Sequence, residues 1–233
     1  MSTAPISGNR LLDQLPEAER TAMLRGMKRV SIPIGETLFR QGRPVRHVHF
    51  PINGVLSLVT RLSDGSAIEV TTIGNEGTTA ASVFLGAATS APAECVAQIV
   101  GDHLVMPADD FRDAVGPTSA LHQVMNHYLA VLLVQVGQAV ACNRLHNTKQ
   151  RSARWLLMIH DRVGSDRFFL THEFLGFMLG IRRASVSDAM ATLRKAGLVG
   201  SVRGHIEIRD RAALEATACE CYTVMHRAHE DLK

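Results

Sequence analysis

Residues 180–199 read GIRRASVSDAMATLRKAGLV, an amphipathic run with a glycine near each end. Val186, Met190 and Leu193 fall at helical spacing on one face, and Ile181 adds an apolar residue at the preceding turn. The opposite face carries Arg183, Ser185, Ser187 and Asp188 early and Arg194 and Lys195 late, with Arg182 just before it. Upstream, Thr171 is placed to cap a short helix HEFLGFMLG, whose first turn holds Glu173 at its positive end. Two short helices that cross sharply need a small residue at their approach and a glycine able to take a left-handed turn between them. Gly176 and Gly180 meet those needs, and Leu175 and Leu179 complete a shared apolar core. The stretch therefore predicts a helix-turn-helix whose second helix starts near Arg183. In such motifs the outer face of that helix enters the major groove of DNA. Arginine can hold guanine bidentately, serine can read a base or bind phosphate, and aspartate can accept from cytosine N4. Downstream, LVGSVRGHIEIRD alternates about a turn at Arg203-Gly204-His205, which predicts a hairpin wing.

Charge follows the same division. Residues 1–143 carry 10 Lys and Arg against 12 Asp and Glu, residues 144–211 carry 13 against 6, and residues 212–233 carry 2 against 4. A basic excess confined to one block is the footprint of a module that approaches a polyanion, although a solvated basic face would carry it too.

The 233-residue chain is 46% hydrophobic and 20% charged, an ordinary globular composition. From Val30 to about Pro107 short apolar runs alternate with Gly, Pro, Asn and Asp, and Asp64-Gly65 is the clearest hairpin signal, read as a tight type I′ turn. An antiparallel β-roll, jelly-roll-like and flanked by helices, is predicted. From about Thr118 the period becomes helical, and a long helix follows with Leu121, Val124, Met125, Tyr128, Leu132, Val136 and Ala139 on one face. Leu129, Val131, Leu133 and Val134 make its flank apolar as well, so it is covered on both sides, by the β-domain and by its own copy in a dimer, or wholly within a monomer. NTKQRSARWLLMIHDRV reads as the next helix, capped by Asn147 or Thr148. The expected fold is α+β in three parts: a β-roll sensor domain over 1–117, a long dimerisation helix over 118–146 and a winged helix-turn-helix over 147–233.

Several classes are excluded. There is no G-x-S-x-G, Walker loop, H-E-x-x-H or dinucleotide fingerprint, so no catalytic constellation is expected. Neither a leader nor an 18-residue apolar stretch is apparent, and Cys95, Cys142, Cys219 and Cys221 are too few and scattered for a disulfide framework. A soluble protein of the reducing cytoplasm, with no membrane partner and no cofactor, is expected.

At this point the chain resembles the Crp/Fnr family of bacterial transcription regulators, through GETLFRQG (35–42), NGVLSLV (53–59), DGSAIEVTTIGNEG (64–77), RSARWLL (151–157) and LGIRRASVSDAMATLRKAGLV (179–199). ACECY (218–222) is similar to a subset of the family. The resemblance implies a homodimer on double-stranded DNA, reading a palindrome with recognition helices about 34 Å apart, and RNA polymerase as a further partner. It aligns Arg183 with an arginine of the catabolite-activator type and Ser187 with a serine of the Fnr type. Ala184 stands where both carry a base-reading glutamate, and Asp188 where they carry arginine, so neither familiar half-site is expected. Thr171 and His172 are expected phosphate-side contacts, and Arg203 at the turn of the wing is expected to contact DNA.

In the family a G-E-x-G turn and a nearby arginine hold a cyclic phosphate. Gly74-Asn75-Glu76-Gly77 resembles the turn with the acid displaced, but no Lys or Arg lies between Arg61 and Arg112, and Val136 and Gly137 occupy the positions that would hold adenine through hydroxyls. A buried phosphate without a cation is costly, so cyclic AMP is disfavoured. Backbone amides from Gly74 through Thr78 and Thr79 remain a candidate site for another small anion. With no cysteine before Cys95, an N-terminal iron–sulfur cluster is excluded. Cys219 and Cys221, placed on one helix, would point about 200° apart and make poor co-ligands, leaving structural thiols or a redox-sensitive one. His47 and His49 share a strand face and are either surface residues or a metal or haem pair, and no metal site is assigned. A protein-docking winged helix or small-ligand sensor is the alternative function.

Overall fold

The computed structural model describes residues 7–202 and 204–230. After a 3-10 turn (Leu12–Gln14) and α1 (Glu17–Arg25), seven strands build the first half: β1 (Lys28–Ile32), β2 (Thr37–Phe39), β3 (His47–Pro51), β4 (Val55–Arg61), β5 (Ala67–Ile73), β6 (Glu94–Ile99) and β7 (Gly101–Pro107). They pair antiparallel in two sheets, ordered β1-β7-β3 and β2-β6-β4-β5. Phe50, Leu56, Ile73 and Phe111 fill the space between the sheets, with α2 (Ala81–Phe84) and α3 (Ala108–Ala114) alongside. The β4–β5 hairpin forms where Asp64-Gly65 signalled it, but with a wider loop than a two-residue turn. Leu62 N–H bonds Ser66 O at 2.8 Å, Gly65 takes φ +85°, and the Asp64 carboxylate accepts from Ser66 N–H. The Asp side chain is thus used to close the loop, and only the glycine adopts the left-handed backbone.

The long helix α4 (Ala120–Leu145) is capped by Ser119 and buries Leu121, Val124, Met125, Tyr128 and Val131 against the β-roll. By length and composition it could cross a membrane, its most apolar window having a mean hydropathy of 1.4. The core helix of a soluble protein passes the same test, and Gln135 and Gln138 interrupt the apolar run. Next, α5 (Thr148–Val163) opens with an Asn147–Gln150 capping box and ends at Gly164 in the left-handed region. Every residue from Arg151 to Ile159 is buried, so α5 is a wedge with protein on all sides. One side meets Val55 and Ile99 of the β-roll, the other the C-terminal core of Leu175, Leu193 and Ile206.

The remaining elements are β8 (Arg167–Phe169), α6 (His172–Leu179), α7 (Arg183–Lys195), β9 (Val199–Val202), β10 (His205–Ile208), α8 (Arg211–Thr217) and α9 (Cys221–Glu230). β8-β10-β9 forms the winged sheet, with Val202 opposite His205 at the wing tip. The wing residue Arg203 lies outside the described residues. The terminal helix α9 runs back along α4 and α5 rather than staying with the wing.

Polar side chains join the two halves. Glu76, 6% exposed, accepts from Arg162 Nε at 2.9 Å and Nη2 at 2.8 Å. Burial would raise its carboxyl, but the Arg162 guanidinium and its other neighbours outweigh that and hold it down at about 2. Trp155 Nε1–H donates to Glu69 Oε1 at 3.1 Å, and Ser57 donates to Oε2 at 2.7 Å. Burial nonetheless pushes the Glu69 carboxyl above its usual range.

His49 is buried beside His103 at a ring separation of 5.9 Å, while His47 is exposed, so these two histidines form no pair. Burial lowers His49 from 6.5 to about 3, and lowers His103 and His229 to about 4. Each imidazole is neutral in the folded state and takes a proton in the unfolded chain below pH 6.5, so folding weakens as pH falls from there toward 4. Glu76 adds a further loss between its ordinary value of 4.5 and about 2. Denaturant midpoints measured from pH 7.5 to 4 should fall steadily below pH 6.5, and less so in His103→Gln; a flat profile would contradict this assignment.

Candidate nucleic-acid interface

Thr171 takes extended backbone and its Oγ1 accepts from Phe174 N–H at 3.1 Å, capping α6 as its position predicted. α6 ends at Gly180, φ +62°, where the chain turns left-handed. At Gly176 a Cβ would lie 2.9 Å from the carbonyl oxygen of Ile181, so the helices approach as closely as they do only because that side chain is missing. Leu175, Leu179, Val186, Met190 and Leu193 are buried between them. The registration leaves Arg182, Arg183, Ser185, Asp188, Arg194 and Lys195 exposed along the outer side of α7.

Ser187 lies on the same helix but is half-buried. Its hydroxyl donates to Arg183 O at 3.1 Å and meets His172 Nδ1 at 3.0 Å, so it braces the two helices together. Burial lowers the pKa of His172, and the Arg183 and Arg194 charges lower it further. An exposed, cation-rich helix face with a neutral imidazole beneath it can present guanidinium forks to base edges and to phosphate.

The loop Gly74 to Thr79 is compact, and several of its donors are engaged. Gly74 N–H bonds Glu76 Oε1, Gly77 N–H bonds Gly74 O, Thr79 N–H bonds His49 O, and Thr78 Oγ1 donates to His49 O. Asn75 O accepts from Arg10 N–H, and Gly77 packs on the Tyr128 ring. Above this loop, between the β-roll and α4, lies a cavity of roughly 280 Å³ with walls from Phe39, Leu58, Leu129, Leu132 and Val136. Its lining is almost entirely apolar.

Two family models match the chain: the cyclic nucleotide-binding domain over residues 29–116 and the Crp-like helix-turn-helix domain over 150–217. The chain belongs to the Crp/Fnr family. Its fold is that of Crp/Fnr-family transcriptional regulators, with a Crp-like helix-turn-helix domain at the C-terminal side. Solved structures with this fold include FixK2 from Bradyrhizobium japonicum, at 18% identity and TM-score 0.67, covering 83% of this chain and 98% of that one. A CRP-family transcriptional regulator from Thermus thermophilus aligns at 22% identity and TM-score 0.67, over 81% of this chain and 96% of the other. The c-di-GMP-responsive regulator CLP of Xanthomonas campestris aligns at 11% identity and TM-score 0.68, over 84% and 100%. A comparison with curated protein sequences finds no match.

Within this Crp/Fnr frame the sequence did not reveal how the reading unit is docked. The turn at Gly180 sits against Ile68 of β5, and the Arg61 guanidinium lies 5.9 Å from the centre of the Phe177 ring on α6. Arg151 on α5 donates to the carbonyl of Leu179, the last residue of α6. Only the proximity of GNEG to a family ligand turn marked Glu76, and nothing local paired it with Arg162.

Cys219 and Cys221 also differ from expectation. They do not share a helix, because α8 ends at Thr217, Cys219 lies in the connection and Cys221 opens α9. The broken helix turns both thiols to the same side.

A Cβ at Gly180 would lie 2.9 Å from Ile68 Cδ1 in addition to demanding left-handed backbone from an L-residue. Gly180→Ala is expected to cost about 1–2 kcal/mol from the backbone alone, lowering Tm by about 2–4 °C for each kcal/mol. Gly116→Ala, with ordinary φ and open space around it, serves as the control and should leave Tm unchanged.

Proposed function

We propose that this regulator is a cytoplasmic homodimer that reads a palindromic operator through the Arg183–Lys195 helix, works alongside RNA polymerase and is not controlled by cyclic AMP. The observation carrying this reading is the display of Arg182, Arg183, Ser185, Asp188, Arg194 and Lys195 on the outer side of a helix fixed by the Gly176 and Gly180 contacts. Thr171 and His172, at the start of α6, serve positioning and bracing through backbone and Ser187.

Dimerisation is supported by the outer side of α4. Ala130, Leu133, Gly137 and Val140 recur at alternating intervals of three and four residues, the seam of a two-stranded coiled coil. Leu133 is 74% and Val140 67% exposed, and no atom lies within 4 Å of where a Gly137 Cβ would stand. A second copy covers this seam and sets two recognition helices about one DNA turn apart, ~34 Å. Leu133→Glu is expected to give a monomer by sedimentation and to lose operator binding, with its secondary structure retained.

Independence from cyclic AMP rests on the cavity. Its walls are almost entirely apolar, the Thr78 hydroxyl is spent on the His49 carbonyl, and no Lys or Arg lines it, so a buried phosphate would meet no cation there. A ligand of this cavity would be apolar and uncharged.

Selection from random DNA by the ligand-free protein should enrich a palindrome, with affinity falling steeply as salt rises. Arg183→Ala should relax preference at one position per half-site, at a cost of about 1–3 kcal/mol. Full sequence preference in that variant would refute the assignment of the reading helix. Enrichment only after cyclic AMP is added would refute ligand independence, and salt-insensitive capture of a protein instead of DNA would favour the docking alternative.

A further inference from the structure

Four potential ligand atoms meet where the end of α4 packs on the start of α9. Cys142 stands in the last turn of α4 and His146 caps its end, while Cys219 approaches from the α8–α9 connection and Cys221 from the start of α9. Cys142 Sγ lies 3.5 Å from Cys219 Sγ, and Cys221 Sγ lies 3.6 Å from His146 Nδ1. All four ligand atoms are within 4.8 Å of one another. A tetrahedral zinc ion with Zn–S bonds of about 2.3 Å holds its sulfurs about 3.8 Å apart. The four groups already stand close to that spacing. The ligands of an iron–sulfur cluster are divided over two or more iron atoms, so all four cannot lie this close together, and the spacing suits a single ion.

A separate observation concerns charge. Arg154 is 6% exposed, yet its Nη1 meets only the sulfurs of Met158 at 3.1 Å and Met225 at 3.6 Å, and its Nε has no partner among the described residues. A buried guanidinium without an oxygen acceptor needs an anion nearby. Arg154 lies within electrostatic reach of the Glu69 carboxyl, whose oxygens are already bonded by Trp155 and Ser57, and of Cys142, Cys219 and Cys221; Arg151 lies within reach of Cys142 and Cys219. Three thiolates and one imidazole around a divalent ion leave a net charge of about −1. The two arginines are positioned to offset it.

We propose that Cys142, His146, Cys219 and Cys221 form a Cys3His site for a thiophilic divalent cation, zinc above all, that staples the C-terminal helix α9 to the end of α4. The three thiols are buried while His146 is half-buried, which gives the ion a route in from one side. With four protein ligands the coordination is complete, the pattern of a structural site.

The full-length protein, produced with zinc in the medium and purified under reducing conditions without chelator or a metal-affinity tag, is expected to hold one zinc per chain by elemental analysis. After stripping, cobalt(II) alone should restore one equivalent, with the intense visible bands of a tetrahedral site and a thiolate-to-metal charge-transfer band. Cys142→Ala and Cys219→Ala should weaken cobalt binding on the order of 100-fold or more. Cys221→His, which keeps four ligands, should retain stoichiometry with a weaker charge-transfer band, and Cys95→Ala, in the β-roll core, should match the parent. Reduced protein that takes up neither metal, cobalt spectra without thiolate bands, or undiminished binding in both alanine variants would overturn the proposal. Isolation of a Cys142–Cys219 disulfide in place of bound metal under the same reducing conditions would overturn it too.

Discussion

Three guanidinium groups buried along one helix govern how the two halves of this molecule meet. Arg151, Arg154 and Arg162 on α5 are each under a tenth exposed. A charge taken out of water must find a partner or the fold is strongly destabilised. No single neighbouring element supplies all three. Arg151 takes Asn143 on α4 and the carbonyl end of α6, Arg162 takes Glu76 of the β-roll, and Arg154 takes sulfur. The orientation of α5 is therefore fixed at once by the long helix, the sensor-like domain and the helix-turn-helix.

The helix α7, proposed as the one that reads DNA, inherits this constraint. α6 is tied to α5 by Arg151 and to β5 by the Gly180–Ile68 and Arg61–Phe177 contacts, and α7 is locked to α6 through the small Gly176 and the His172–Ser187 bond. Outward from the β-roll, each layer positions the next, and the last surface in the series is the cationic face of α7. In this arrangement Glu76 serves a mechanical purpose: it neutralises a cation of the DNA-binding half, and the neighbouring cavity is lined by hydrocarbon.

Local patterns were legible in the sequence, and long-range partnerships were not. Caps at Asn147 and Thr171, the glycine at the turn and the apolar offsets across residues 175–193 all act over a few residues, so spacing alone reveals them. The β4–β5 hairpin was legible in position but not in loop type, because Asp64 contributes through its side chain. Ser187 was readable as a polar residue on the recognition helix, but its engagement with His172 depends on the crossing of two helices. Glu76 and Arg162 are 86 residues apart, and Cys142 and Cys219 are 77 apart. Helical geometry applied to CEC failed because it assumed a continuous helix, whereas the chain breaks at Ala218 and re-forms at Cys221.

The central claim is that a buried charge pair, and not apolar packing alone, joins the β-roll to the DNA-binding half. A double-mutant cycle on Glu76→Gln and Arg162→Met, read by denaturant unfolding of the full chain, tests it directly. Each single variant leaves one uncompensated buried charge while the double variant leaves none, so the double should lose less than the two singles combined, by on the order of 1–3 kcal/mol. Strict additivity of the two changes would contradict the account.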